Sequence, residues 1–446
     1  MMTHPPHILL INPWIHDFAA YDFWAKPLGL LTIAGLLRDH GCRVSYIDCL
    51  DRFHPQASPG DPLARYGRGP YLKTKISKPP QLQDIPRNYS RYGIKPEWFR
   101  HDLEQFPEPD LVLVTSLMTY WYPGVVEAIS IIREIFPHAP IVLGGIYATL
   151  CSDHARMQSG ADQILTGPVE SSLLDLLKSY TGQSLKPTFD SHDLDTYPYP
   201  ALDLQHKINY APILTSRGCP FRCAYCASHI LEPRQMQRSP ESVVEEINFW
   251  NNKYDVRNFV LYDDAFLMNA GNHSIPILEK IIKTEFKIHF HTPNAVHIRG
   301  ITSETARLMH RAGFKTLRIG LETTEFDQRQ DIDRKVTARE FEQAVGHLKK
   351  AGFEKKQVGA YLLCGLPGQH ITEVESSIKI VTQAGITPIL AHYTPIPQTK
   401  LWPTAVNASR YDLESDPIYT NNAIFPCRKD GFSWPELSRL KALARK

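Results

Sequence analysis

The chain has 446 residues, more than one ordinary domain holds, so two or three domains of ~150 residues are expected. An apolar fraction of 43% and a charged fraction of 22% exclude a wholly disordered or collagen-like chain. Lys plus Arg (49) nearly balances Asp plus Glu (47), and a formal net charge of +2 gives no electrostatic case for binding nucleic acid or a membrane surface.

The first predicted element is HILLIN at His7–Asn12, a short apolar run ended by Pro13 that reads as a buried strand. An aromatic-rich loop follows. Residues 28–40 have helical periodicity and stop at Gly41, and Arg43–Asp48 reads as a second strand. Strand, helix, strand in this order is a βαβ unit and implies a parallel sheet. Residues 52–106 break the pattern: they are rich in Pro, Gly, Arg and Tyr without a clear period, as in a functional or mobile insertion. The alternation resumes with a strand at 110–116, a helix at 125–136, a strand at 141–143 running into Gly144-Gly145, a strand at 161–165 and a helix to about 178. A doubly wound α/β domain over residues 1–180 is expected.

Residues 181–206 read as a polar, Pro-rich linker. A second series then begins. Strands are expected at 211–215, 258–262, 287–291, 316–320, 357–363 and 389–393, with helical stretches between them. Five to six such repeats fit a partial (β/α)6 TIM-type barrel over residues 207–402, with chemistry at the C-terminal ends of its strands. Residues 403–446 read as a tail. No apolar run approaches the ~18 residues needed to span a bilayer. The N-terminus lacks the basic region of a signal peptide, so a cytoplasmic protein is expected.

In such a reduced chain, clustered cysteines point to metal or catalysis before disulfides. TSRGCPFRCAYCAS places Cys219, Cys223 and Cys226 at C-x3-C-x2-C spacing. Thiolates suit zinc or iron–sulfur clusters. Zinc would need a fourth close ligand, and the spacing to His229 is not that of a usual zinc finger. Three thiolates on a tight loop after a strand suit a 4Fe–4S cluster with one iron left open.

That segment resembles the radical S-adenosylmethionine (SAM) superfamily. The resemblance implies that Cys219, Cys223 and Cys226 hold a 4Fe–4S cluster whose open iron chelates SAM. One-electron reduction then cleaves SAM to a 5′-deoxyadenosyl radical. Tyr225, at the aromatic position before the third cysteine, would lie near the adenine. Tyr262-Asp263-Asp264-Ala265-Phe266 resembles the family's "DD-x-F" segment, which makes Asp264 a candidate for SAM hydroxyls or substrate, with helix capping as the other role. The strand Arg318-Ile319-Gly320-Leu321-Glu322-Thr323 resembles "iGlEs" and would aim Glu322 at the SAM amino group. Leu363-Cys364-Gly365-Leu366-Pro367-Gly368-Gln369 resembles the "fGlPgE" turn and places Gly365 at the cofactor. Gln369 stands where the family usually has Glu, which keeps hydrogen bonding and loses charge. Cys364 reads as a small buried residue; His289, His291 and His297 flank the third strand, where two at period two could reach the barrel mouth, and otherwise read as packed or hydrogen-bonded histidines.

A doubly wound domain ahead of such a barrel is the layout of the subgroup with a cobalamin-binding domain. The matching residues include Asn12-Pro13, Thr115-Ser116-Leu117 after the third strand and Leu143-Gly144-Gly145 after the fourth. The resemblance implies a cobalamin site at Ser116, Leu117, Gly144 and Gly145, with Ser116 hydrogen-bonding the buried nucleotide tail and the two glycines leaving it room. The D-x-H-x-x-G motif is absent, so no histidine from it is expected on cobalt. The aromatic residues Trp14, Tyr21, Phe23, Trp24, Tyr120, Trp121 and Tyr122 would cover a corrin or a hydrophobic substrate, or simply pack.

The function implied is methylation of an unactivated carbon by a cobalamin-dependent radical SAM methyltransferase. A small-molecule or natural-product substrate and an electron donor such as flavodoxin or ferredoxin go with it. The alternatives are a cobalamin-free radical SAM enzyme (methylthiotransferase-like, or a cyclase or oxidoreductase) and a non-catalytic iron–sulfur protein that keeps the fold. A methylthiotransferase would need a second cluster, for which Cys42, Cys49 and Cys151 are the available thiols.

Overall fold

The computed structural model describes residues 4–445 except 59, 62–63, 285, 327–331, 334–335 and 429–431. The chain divides into two units. One holds the residues up to Asn209 with Leu413–Ala423, the other Tyr210–Asp412 with the residues from Ile424 onward.

In chain order the first unit has strands β1 (His7–Asn12), β2 (Ile15–Asp17), β3 (Arg43–Asp48), β4 (Lys73–Ile76), β5 (Tyr89–Tyr92), β6 (Leu111–Val114), β7 (Ile141–Leu143) and β8 (Gln163–Ile164). Its helices are α1 (Leu28–Asp39), α2 (Pro96–Glu104), α3 (Tyr122–Ile135), α4 (Ile146–Leu150), α5 (Ser152–Gln158) and α6 (Leu173–Thr181). The main sheet runs β3-β1-β6-β7-β8, every pair parallel. Counted along its own strands this is the 2-1-3-4-5 order of a doubly wound fold, with the switch point between β1 and β6. The apolar run of β1 has its physical reason here, because side chains alternate across the sheet and both faces are covered. Leu9 and Ile11 join Phe99 and Leu103 of α2 and Val125, Ala128, Ile129 and Ile132 of α3 on one side. Ile8 and Leu10 join Leu30, Ala34 and Leu37 of α1 and Leu173, Leu176 and Leu177 of α6 on the other. Each fully buried Leu or Ile contributes roughly 1.5–3 kcal/mol.

The 52–106 insertion is more ordered than its composition suggests. β5 pairs antiparallel with β2 and with β4, forming a second small sheet. The α2 helix brings Phe99 and Leu103, both fully buried, into the main core. Trp14 Nε1 donates to the Ile94 carbonyl at 2.7 Å, tying the loop after β1 to the insertion. Lys73 and Lys75 are exposed on the edge strand β4, where charge discourages pairing with another chain.

The segment Leu413–Ala423 also belongs to this unit. Asp416 Oδ2 accepts from Gln81 Nε2 and Tyr122 OH, each at 3.1 Å. Asn421 Nδ2 donates to Asp17 Oδ1 at 2.9 Å, and the hydroxyls of Thr119 and Thr420 meet at 2.9 Å.

The second unit contains β9 (Ala211–Ile213), β10 (Ser216–Arg217), β11 (Met236–Gln237), β12 (Asn258–Leu261), β13 (His289–His291), β14 (Phe314–Glu322), β15 (Val358–Cys364) and β16 (Thr387–His392). Its helices are α7 (Ser228–Leu231), α8 (Pro240–Tyr254), α9 (Ser274–Lys283), α10 (Ser303–Arg311), α11 (Ala338–Lys350), α12 (Ile371–Gln383), α13 (Trp402–Ala408) and α14 (Trp434–Leu443). Six strands run in sequential order from β9 through β12, β13, β14 and β15 to β16, all parallel. Two of the helices between them start at capping boxes, Thr302 with Thr305 and Thr337 with Glu340. Among the described residues no helix is long and apolar enough to cross a membrane.

Candidate active site

The cysteine loop leaves β10, which pairs antiparallel with β11 just beyond the end of β9. The chain can turn there only at a glycine. Gly218 has φ +76, and a Cβ on it would sit 2.3 Å from the Arg234 carbonyl oxygen. Ala224 pins the loop at its middle: its N–H donates to the Ile332 carbonyl and its own carbonyl accepts from Leu401, each at 2.8 Å. Cys219, Cys223 and Cys226 are free thiols. Cys219 Sγ lies 4.0 Å from His297 Nε2, and His297 stacks on Phe221 with ring centroids 3.9 Å apart. Cys226 Sγ accepts from the Ser228 backbone N–H at 3.4 Å and lies 3.2 Å from Ser228 Oγ. Among the described residues no three His, Cys, Asp or Glu side chains converge closely enough to hold a metal ion as they stand. The donor set, three thiols on one loop with a backbone amide already aimed at sulfur, fits a cluster ligated through three cysteines.

Tyr225 and Glu322 come together at this loop. Burial pushes the Tyr225 phenol well above its usual range, and the charge of Glu322 beside it adds to the shift. Glu322 closes β14 with φ +66, where the β14–β15 register shifts between Gly320 and Glu322. A non-glycine residue in that region stores roughly 1–3 kcal/mol of strain and redirects the side chain from the regular pleat. Glu322 is only 9% exposed.

The two aspartates after β12 have different surroundings. Asp263 is buried and accepts from Thr215 Oγ1 and Ser216 Oγ, each at 2.6 Å, which ties β12 to the β9–β10 connection. Burial raises its pKa against those hydrogen bonds. Burial raises the pKa of Asp264 as well, and Ser228 of the cysteine loop, beside it, opposes that shift. Gly365, at the end of β15, has φ +91. Its N–H donates to Gln369 Oε1 at 2.8 Å, Leu366 N–H donates to the same oxygen at 3.3 Å, and Gln369 Nε2 donates to the Leu363 carbonyl at 3.0 Å. The amide therefore uses a donor that an ionised glutamate lacks, which gives the Gln369 departure a structural reason.

Cys364 is buried, its thiol pushed up to about 12. His291 is buried with Nε2 3.3 Å from Asn258 Oδ1. His297, one of the three histidines flanking the third strand, stands beside Cys219. Its one sequence signal was its place shortly after β13.

In the first unit Ser116, Leu117, Gly144 and Gly145 lie together at the C-terminal ends of β6 and β7. Ser116 Oγ donates to the Gly144 carbonyl at 2.7 Å and accepts from the Ala148 N–H at 3.3 Å. Its hydroxyl shapes the β7–α4 turn, a role spacing does not reveal. Gly145 has φ +96, and a Cβ there would sit 2.3 Å from the Ser116 carbonyl oxygen. A Cβ on Gly144 would meet only Val169 Cγ2, at 4.0 Å. Gly144 is thus the position that leaves room, while Gly145 is required by the backbone. Leu117 is half-buried. Of the aromatic set, Trp14 is buried against Phe99, with centroids 5.0 Å apart, whereas Phe23 is 60% exposed.

A second cluster on Cys42, Cys49 and Cys151 is ruled out by geometry. Cys42 precedes β3 and Cys49 follows it, so they stand at opposite ends of a six-residue strand, ~20 Å apart. All three thiols are pushed up by burial, Cys42 to about 11 and Cys151 to about 12.

Residues 213–381 match the Radical SAM superfamily. The chain is 26% identical to an uncharacterized methyltransferase, PH0819, of Pyrococcus horikoshii, over 67% of this chain and 70% of that one. It is 24% identical to the anaerobic magnesium-protoporphyrin IX monomethyl ester cyclase of Cereibacter sphaeroides, over 66% of this chain and 53% of the cyclase, so it spans about half of that relative. The fold is that of the radical SAM methyltransferase TsrM from Kitasatospora setae, solved with cobalamin and a [4Fe-4S] cluster bound. The TM-score is 0.66 at 16% identity, over 92% of this chain and 76% of that one.

Proposed function

We propose that this chain, a radical SAM superfamily protein by its residues 213–381, is a cobalamin-dependent enzyme that transfers a methyl group from SAM to an unactivated carbon of a small molecule. One observation carries the reading. A three-thiol loop at the C-terminal edge of a six-stranded parallel sheet shares its chain with a doubly wound sheet that keeps Gly144 open near its switch point. When bound, a cluster with one open iron supplies the electron that cleaves SAM, and cobalamin supplies a methyl carrier. The residues proposed to hold these groups are Cys219, Cys223 and Cys226 for iron, Tyr225, Asp264, Glu322 and Gly365 for SAM, and Leu117, Gly144 and Gly145 for cobalamin. Ser116 acts there through the β7–α4 turn, since its hydroxyl is already engaged. Glu322, an acceptor held close to Tyr225, suits the SAM ammonium group, and the Tyr225 ring suits stacking on adenine. A reduced flavodoxin or ferredoxin is the class of partner that would deliver the electron. The methyltransferase PH0819 and the cobalamin of TsrM support this reading.

The test is reconstitution of the anaerobic protein with iron, sulfide and hydroxocobalamin, followed by desalting. Bound corrin is read from the visible spectrum, and SAM turnover from 5′-deoxyadenosine and S-adenosylhomocysteine. Stoichiometric corrin with both products supports the proposal. A full cluster and 5′-deoxyadenosine without corrin would replace it with cobalamin-free radical chemistry, such as the ring formation of the related cyclase.

A further inference from the structure

Ser228 stands two residues beyond Cys226, at the start of α7, and meets its sulfur twice. The backbone N–H donates at 3.4 Å, and the hydroxyl oxygen lies 3.2 Å from the same atom. Asp264 lies beside Ser228, close enough for the hydroxyl to hold its carboxyl pKa down against burial. A serine hydroxyl carries one proton, and here it has two claimants. With Cys226 as a thiol there is no conflict, because S–H donates to Ser228 Oγ and the hydroxyl proton goes to Asp264. As a cluster ligand the sulfur has lost its proton and can only accept. The serine must then share its single proton between sulfur and carboxylate.

We propose that Ser228 is a positioning residue for the iron–sulfur cluster, setting its reduction potential through the hydroxyl hydrogen bond to Cys226 Sγ, and that Asp264 governs how much of that bond the sulfur receives. This rests on the reading of Cys219, Cys223 and Cys226 as the cluster ligands. Hydrogen bonds to ligand sulfur draw off negative charge and favour the reduced cluster, and the groups behind the ligands tune a metal site. Ser228, beside the sulfur, and Asp264, beside Ser228, are groups of that kind.

The full chain is reconstituted without oxygen as wild type, Ser228→Ala, Ser228→Thr, Asp264→Asn and the double variant Ser228→Ala/Asp264→Asn. Iron per chain, the paramagnetic resonance spectrum of the dithionite-reduced cluster and the midpoint potential are measured for each. About four irons are expected throughout. Ser228→Ala shifts the reduction equilibrium about tenfold toward the oxidised form, ~59 mV for one electron. Ser228→Thr keeps a hydroxyl and stays within about twofold of wild type. Asp264→Asn donates to Ser228 Oγ, releases the hydroxyl proton to sulfur and shifts the equilibrium toward the reduced form. That shift falls by about half or more in the Ser228→Ala background. Ser228→Ala with full iron and an unchanged potential overturns the proposal. So does an Asp264→Asn shift of equal size in both backgrounds, which would mean charge acting through space. If Ser228→Ala fails to fold, an unchanged potential in Asp264→Asn overturns it. Little iron in wild type, or full iron in Cys226→Ala, overturns the ligand assignment itself and is read from iron alone.

Discussion

Replacing Gln369 by Leu tests the account of the β15 turn most sharply. The side chain is 8% exposed and satisfies the N–H groups of Gly365 and Leu366 and the carbonyl of Leu363. Leucine fills similar volume and answers none of them. A buried backbone group left without a partner costs roughly 1–3 kcal/mol, and the two N–H groups share one acceptor, so a total of about 3–5 kcal/mol is expected. For a unit of this size each kcal/mol lowers Tm by roughly 2–4 °C, which makes the drop about 6–20 °C. Gln369→Glu keeps the acceptor and loses only the donor, so it falls by about a third as much. The assay is thermal and urea unfolding followed by circular dichroism. A Leu variant within about 1 kcal/mol of wild type would refute the reasoning, since the turn would then hold without the amide.

Gly145→Ala should destabilise the first unit by at least about 2 kcal/mol, because it combines a left-handed φ with a Cβ against the Ser116 carbonyl. Gly144→Ala should leave the urea midpoint unchanged and lower cobalamin retention after desalting, so a fallen midpoint would show that the open space is illusory. Cys219→Ala, Cys223→Ala and Cys226→Ala should each lose most of the iron, while Cys364→Ala and Cys427→Ala keep it; these two thiols are buried and pushed up to about 12. Burial lowers Lys26 to about 7, with Asp22, Asp48 and Asp51 opposing the shift. The unfolded chain then binds more protons at this site, so the urea midpoint should climb as pH rises from about 7 toward about 10. Lys26→Met should remove that climb, and an equal slope in both proteins would count against a neutral buried amine.

The strands of both sheets were legible because each carries its signal locally. β1 is an apolar run since both its faces are covered, and the six strands of the second unit's parallel sheet alternate with helices, several of them capped by their own sequence. The cysteine spacing and Glu322 at the end of β14 were legible for the same reason. The small sheet was not, because β4 and β5 are four residues each and β5 finds β2 across more than seventy positions. Nor was the engagement of Ser116: a hydroxyl after a strand looks the same in sequence whether it faces a ligand or its own turn. Gln369 was visible as a departure from the family, but its amide proton acquires a purpose only when Leu363 is folded back against it.

The hydrogen bonds that hold Leu413–Ala423 have a consequence for the order in which the protein comes into being. A chain emerging from the ribosome offers Asp17 almost at once, yet Asn421, one of its donors, arrives some four hundred residues later. Until then Asp17 relies on the Phe18 N–H and Trp121 Nε1, and Asp416 is not there for Tyr122. The first unit to be synthesised is therefore among the last to be completed. A gene cut after residue 402 would take a clasp from the first unit and α13 and α14 from the second.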